Sequence, residues 1–146
     1  MVSCDNALPH LLTDEAVLAA LRAMWACLAP GGGCVVSIRD YAAEPRGRNL
    51  VKLHGVREES GKRYLLFQVW DFEGEHYDFS FYLVEEDLLT HTGQTHLLRS
   101  RYYALSVAKL GALLREAGFQ AVRLVEGAFS SPCSSAPNLG GKKQRI

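Results

Sequence analysis

Two short polar groups stand where this sequence could do chemistry: Asp5-Asn6 near the start, and Arg39-Asp40-Tyr41 after the apolar run Cys34-Val35-Val36-Ser37-Ile38. Each follows a stretch that reads as a buried strand. Both are therefore expected at C-terminal strand ends, the edge at which open α/β sheets bind ligands. Either group alone could merely solvate a strand end. Two at one edge, joined by a mixed polar and aromatic strand face carrying Tyr82, point to a crevice for a small molecule.

Other chemistries lack their residues. Gly31-Gly32-Gly33 leaves a helix and enters a strand, the reverse of a phosphate-binding loop, and reads as a helix stop. The five histidines (His10, His54, His76, His91 and His96) form no H-E-x-x-H, and no Cys–His spacing matches a structural zinc site. A G-x-S-x-G nucleophile elbow is also missing. Metal and nucleophile-elbow chemistry are accordingly not expected.

The elements that must position the polar groups follow from periodicity. Val17, Leu18, Leu21, Met24, Trp25 and Leu28 recur at helical spacing, which predicts a helix over about 14–28, capped by Thr13 and ended by Pro30-Gly31-Gly32-Gly33. Met1 to Cys4 and Cys34 to Ile38 read as parallel strands buried on both faces. Alternation over 65–70 and 77–83 predicts an antiparallel hairpin. A three-residue turn, Glu73-Gly74-Glu75, would pair Val69 with Phe79, Phe67 with Phe81 and Trp70 with Asp78. A third strand is expected over 95–103. Ser106 should cap a second helix that stops at Gly118, and a last strand should cover 121–125.

Composition bounds the function class. The chain has 146 residues, 48% hydrophobic and 22% charged, which favours one globular domain. The 16 Lys and Arg balance the 16 Asp and Glu, so no net field draws in a phosphate backbone, and nucleic acid is not an expected partner. No window approaches the ~20 apolar residues of a bilayer span, and the start lacks signal-peptide features, so no membrane partner and a cytoplasmic location are expected. Cys4, Cys27, Cys34 and Cys133 show no C-x-x-C spacing and read as reduced, buried thiols. From Ser130 the Ser, Pro, Gly and Lys content predicts a disordered tail over 130–146.

The order of strand, polar loop ending in His10, helix, Leu28-Ala29-Pro30-Gly31-Gly32, buried strand, and then Leu113-Leu114-Arg115-Glu116-Ala117-Gly118-Phe119 resembles the C-terminal half of class I S-adenosylmethionine-dependent methyltransferases. Within that superfamily, Asn6-Ala7-Leu8-Pro9-His10-Leu11 and Arg39-Asp40-Tyr41 are similar to segments of glycine and sarcosine N-methyltransferases. The resemblance implies an α/β fold over 1–129: a partial Rossmann-like class I methyltransferase domain with an inserted antiparallel β-hairpin. It also implies S-adenosyl-L-methionine as methyl donor, contacted through Cys4, Asp5, Asn6 and Ala7. Asn6, Arg39 and Tyr82 would hold a small-molecule acceptor, an amine whose carboxylate Arg39 grips in two parallel bonds. No nucleophilic side chain is required, because such an enzyme chiefly aligns an unprotonated amine with the S–CH3 bond and excludes water. His10 is expected to be a structural residue of its loop.

The family's glycine-rich loop and ribose-binding acid belong to strands not found in this sequence, so the isolated chain is expected to be a truncated and inactive fragment. Ser37-Ile38 stands where the glycine enzymes carry Asp-His, which argues against glycine as acceptor. The competing expectation is a non-catalytic ligand-binding or dimerisation module built on the aromatic hairpin, with Trp70, Phe72 and Tyr82 on one face.

Overall fold

The computed structural model describes residues 1–125. They form two compact units, residues 1–45 with 102–125 and residues 46–101, where length alone favours one core. The second unit holds a four-stranded sheet of its own, which a single hairpin would not supply.

The first unit contains β1 (Val2–Ser3), α1 (Asp14–Ala26), β2 (Val35–Val36) and α2 (Val107–Glu116). β1 and β2 pair in parallel, Val2 with Val35 and Ser3 with Val36. Thr13 caps α1, its Oγ1 accepting from the Ala16 N–H at 3.2 Å, and Asp14 and Glu15 complement the positive helix end. Ser106 caps α2 in the same way, accepting from the Lys109 N–H at 3.2 Å. Val17 and Leu21 of α1 are fully buried, in one cluster with Leu105, Leu110 and Leu113. A polar tie joins the starts of the two helices: the Tyr103 hydroxyl donates to Asp14 Oδ1 at 2.5 Å and accepts from Lys109 Nζ at 2.6 Å.

Three expectations for this unit need correction. The strands are not buried on both faces, since Val2 is 68% and Val35 43% exposed. Their sheet has only two strands among the described residues, so no further strand covers them. Residues 121–125 form no strand. The cysteines are not buried thiols: Cys4 and Cys27 are exposed and Cys34 is half-buried, all three free. Cys27 lies just past the last turn of α1, off its apolar stripe, while Cys133 and the 130–146 tail lie outside the described residues.

The second unit is built by β3 (Leu50–Glu59), β4 (Lys62–Glu73), β5 (His76–Asp87) and β6 (Thr92–Tyr103), in that spatial order, with the end of β6 running into the first unit. β3 escapes a sequence reading because its alternation, Val51 and Leu53 against Lys52 and His54, breaks at Gly55, after which only Val56 is apolar. The hairpin forms as expected, but its register differs by one residue. Glu73 pairs with His76, leaving a two-residue turn of Gly74 and Glu75 in which Gly74 takes φ 60°. Phe67 therefore opposes Tyr82, Val69 opposes Ser80, and Trp70 opposes Phe79. With a side-chain period of two, that single step moves every β5 side chain to the other face relative to β4. One face carries Trp70, Phe72, Tyr77 and Phe79, with Lys52 Nζ 5.1 Å from the Trp70 ring and the Arg46 guanidinium 5.5 Å from that of Phe72. Tyr82 lies on the opposite face, so Trp70, Phe72 and Tyr82 do not share one.

β3 also carries an irregularity between Leu53 and Gly55. His54 is the extra residue, and pairing resumes with Gly55 opposite Leu66 and Val56 opposite Leu65. Leu53 pairs with Phe67, two residues from Leu65, so Val56 and Leu53 face the same way although three positions apart. Three cross-strand rows result on the Tyr82 face: Val51–Val69–Ser80, Leu53–Phe67–Tyr82 and Val56–Leu65–Val84.

Candidate functional site

The parallel pairing of β1 with β2 ends in a rim of polar residues. Past Val2–Ser3 the chain turns through Asp5 and Asn6, both left-handed with φ 59° and 60°. Asp and Asn tolerate that conformation because their short polar side chains bond locally. The Asp5 N–H donates to Ser37 Oγ at 3.1 Å, and Asn6 Oδ1 accepts from the Arg39 N–H at 3.0 Å. Asn6 Nδ2 donates to the Tyr41 hydroxyl at 2.6 Å. One amide side chain thus ties the exit of β1 to the chain leaving β2 at two points, and Tyr41 is completely buried beneath it.

The Arg39 side chain reaches the surface, where Nη1 meets Glu44 Oε1 at 3.0 Å. Glu44 is the better buried partner, its side chain 16% exposed against 46% for Arg39, so the guanidinium already faces one carboxylate of its own chain. Asp40 Oδ1 accepts from the Ala42 N–H at 2.9 Å and shapes the turn between them.

A short 3-10 turn over Leu8–Leu11 follows Asn6 and buries Leu8 and Pro9. It presents His10, whose ring lies 4.1 Å from that of Tyr102 at 47°. Burial raises the Tyr102 pKa, with Tyr41 and Asp5 adding to the rise and Arg39 opposing it, so the phenol is held neutral.

Of the residues singled out from sequence, Cys4, Asp5, Asn6, Ala7 and Arg39 come together in one unit, with Asn6 and Arg39 in direct contact. Cys4, Asp5 and Ala7 are exposed. Tyr82 belongs to the other unit, in β5, its ring stacked on Phe67 at 4.8 Å and 5°. Sequence reasoning missed three members of the rim. Tyr41 was visible as the end of Arg39-Asp40-Tyr41, but only its burial shows that it supports Asn6. Glu44 carries no local signal, and Tyr102 reaches His10 across 92 residues of chain.

No protein-family profile matches this chain, and no curated protein sequence does. Solved structures do match. DesVI of Streptomyces venezuelae superposes with a TM-score of 0.70 at 19% identity, over 82% of this chain and 49% of that one. CalS10 from Micromonospora echinaspora, a SAM-bound amino pentose methyltransferase involved in calicheamicin biosynthesis, gives 0.69 at 19% identity, over 80% and 48%. KedS8 from Streptoalloteichus, a sugar N-methyltransferase, gives 0.66 at 15% identity, over 80% and 46%. The chain thus spans about half the length of these structures and has a partial class I methyltransferase fold.

Proposed function

We propose that this chain is part of an S-adenosylmethionine-dependent methyltransferase acting on an amino group of a small molecule. The observation that carries this reading is the Asn6–Arg39 contact at the carboxyl rim of two parallel strands, in a fold similar to methyltransferases. The donor supplies a methyl group on a sulfonium, which transfers by in-line displacement. The task left to the protein is alignment and exclusion of water.

The rim residues suit that task. The exposed Asp5 carboxylate offers acceptors for the ammonium of the donor's methionine part, and Cys4, Asn6 and Ala7 flank it. Asn6 is held by both ends of its amide, so the loop is set before anything binds. His10 is exposed and braced on Tyr102, and we assign it to loop structure.

For the acceptor, Arg39 favours a carboxylate-bearing amine, which would bind the guanidinium by displacing or joining Glu44. The amino pentose and sugar N-methyltransferases among the similar structures favour an amino sugar instead, an acceptor that needs no carboxylate clamp, and the existing Arg39–Glu44 pair is compatible with that.

The test is a nitrogen-resolved NMR titration of S-adenosylmethionine to millimolar concentration into the chain, where the methionine part alone has contacts. Amide shifts centred on Cys4 to Ala7 are expected. Shifts confined to residues 46–101, or none at all, would refute the assignment.

A further inference from the structure

Arg39 is fixed in place and already engaged. Its N–H donates to Asn6 Oδ1 at 3.0 Å, which sets the residue beside the Asp5-Asn6 turn. Burial, with Tyr41 and Asp5 adding to it, raises the Tyr102 pKa while the Arg39 charge opposes the rise, so the guanidinium shares one small region with the Tyr102 phenol and the Asp5 carboxylate. A counter-charge is supplied by Glu44, five residues on in the chain, with Oε1 3.0 Å from Arg39 Nη1.

The two partners are unequally buried. The Glu44 side chain is 16% exposed and that of Arg39 46%, so the carboxylate has given up most of its water. An ionised group in that state depends on its partner, and leaving it unpaired costs more than the pair itself gains. The loop that carries Glu44 is shaped before anything binds. Tyr41 at its start is completely buried, Asp40 Oδ1 accepts from the Ala42 N–H at 2.9 Å, and Pro45 follows Glu44 with a fixed φ. Glu44 is therefore a tethered ligand, held at the guanidinium at an effective concentration on the order of millimolar or above.

An incoming carboxylate has two routes to Arg39. It can displace Glu44, which strands a largely buried charge, or join it, which sets two like charges on one cation. Either route weakens the grip of the guanidinium on the newcomer. An acceptor without an anion takes neither route, because its binding leaves the pair intact.

We propose that Glu44 is a specificity-determining residue of the acceptor site, a built-in competitor that weakens the binding of carboxylate-bearing acceptors at Arg39 and leaves acceptors without an anion unaffected. That the displaced ligand is a methyl acceptor rests on the proposed function, whereas the competition is a property of the loop itself.

Acetate is the probe, titrated to about 100 mM at constant ionic strength into the 146-residue chain and followed by nitrogen-resolved NMR at residues 5, 6 and 39. Glu44→Gln keeps the shape of the side chain and removes its charge, and should tighten acetate binding about fivefold, the upper end of what a partly exposed ion pair is worth. Glu44→Ala should tighten it at least as much. Glu15→Gln, at an exposed position in the first turn of α1, changes the net charge equally and should leave acetate binding as in the parent. Adding Arg39→Leu to Glu44→Gln should abolish the gain. Acetate binding no tighter in Glu44→Gln and Glu44→Ala than in the parent overturns the proposal, as does a gain that persists without Arg39. Neither probe nor readout involves the methyl donor, so failure here counts against Glu44, and failure of the donor titration counts against the methyl-transfer reading.

Discussion

Replacing Asn6 with alanine removes the side chain that binds the two strand exits together at two points. Two hydrogen bonds are lost, from the Arg39 N–H to Oδ1 at 3.0 Å and from Nδ2 to the Tyr41 hydroxyl at 2.6 Å. Each contributes about 0.5–1.5 kcal/mol net. Alanine must also adopt the left-handed backbone that Asn6 holds at φ 60°, which adds about 1 kcal/mol. The expected loss is therefore about 2–4 kcal/mol, a large part of the stability of a small unit. Asn6→Asp provides the control. A carboxylate accepts from the Arg39 N–H as the amide does, the Tyr41 hydroxyl can rotate to donate, and aspartate tolerates the same backbone. Its expected cost is below about 1 kcal/mol. Urea unfolding read from Trp25 in a Trp70→Phe background reports the first unit. Hydrogen exchange at the Arg39 amide reports the bond itself, and should accelerate in Asn6→Ala but not in Asn6→Asp. An alanine variant within about 0.5 kcal/mol of the parent, or an aspartate variant as damaged as alanine, would refute the account of Asn6 as a tie.

Four further outcomes are expected. Tyr103→Phe should cost about 1–3 kcal/mol, because it deletes the hydroxyl's bonds to the Asp14 carboxylate and from Lys109 Nζ while Lys109 and Asp14 remain paired at 3.3 Å. The same substitution should flatten the alkaline stability curve. Burial and then the Asp14 bond raise the Tyr103 pKa, so its stabilisation is complete below the ordinary tyrosine value of about 10 and is lost as pH rises through the folded value; thermal melts between about pH 9 and 11 measure this. Thiol labelling near neutral pH should modify exposed Cys4 and Cys27 before half-buried Cys34, whose pKa burial raises; equal rates at all three would contradict the structure. On the proposed function, Arg39→Leu in a chain extended to full activity should raise the acceptor KM at least about tenfold with donor affinity nearly unchanged, as steady-state kinetics and donor titration would show.

Much of the first unit was readable from residues alone, because its signals are local. Thr13 and Ser106 act on amides within three residues, and the apolar stripes of α1 and α2 follow from helical spacing. The position of Asn6 beside Arg39 was also legible, since both terminate runs of strand-forming residues that pair in parallel. Long-range choices were not. The hairpin register turned on whether Gly74 begins a two-residue turn or stands in the middle of a three-residue one, and alternation is equally satisfied by both. Strand β3, whose alternation breaks at Gly55, is stabilised by pairing to β4 rather than by its own pattern.

Local rules, in short, reach as far as one turn of helix or one strand pair, and within that reach composition and spacing settled the capped helices, the parallel exits and the polar rim. Contacts between distant residues settled the rest: Tyr41 under Asn6, Tyr102 on His10, and the face on which Tyr82 lies. A side chain's partners across the chain depend on packing that no short window contains, and a one-residue step in a sheet inverts which residues share a face.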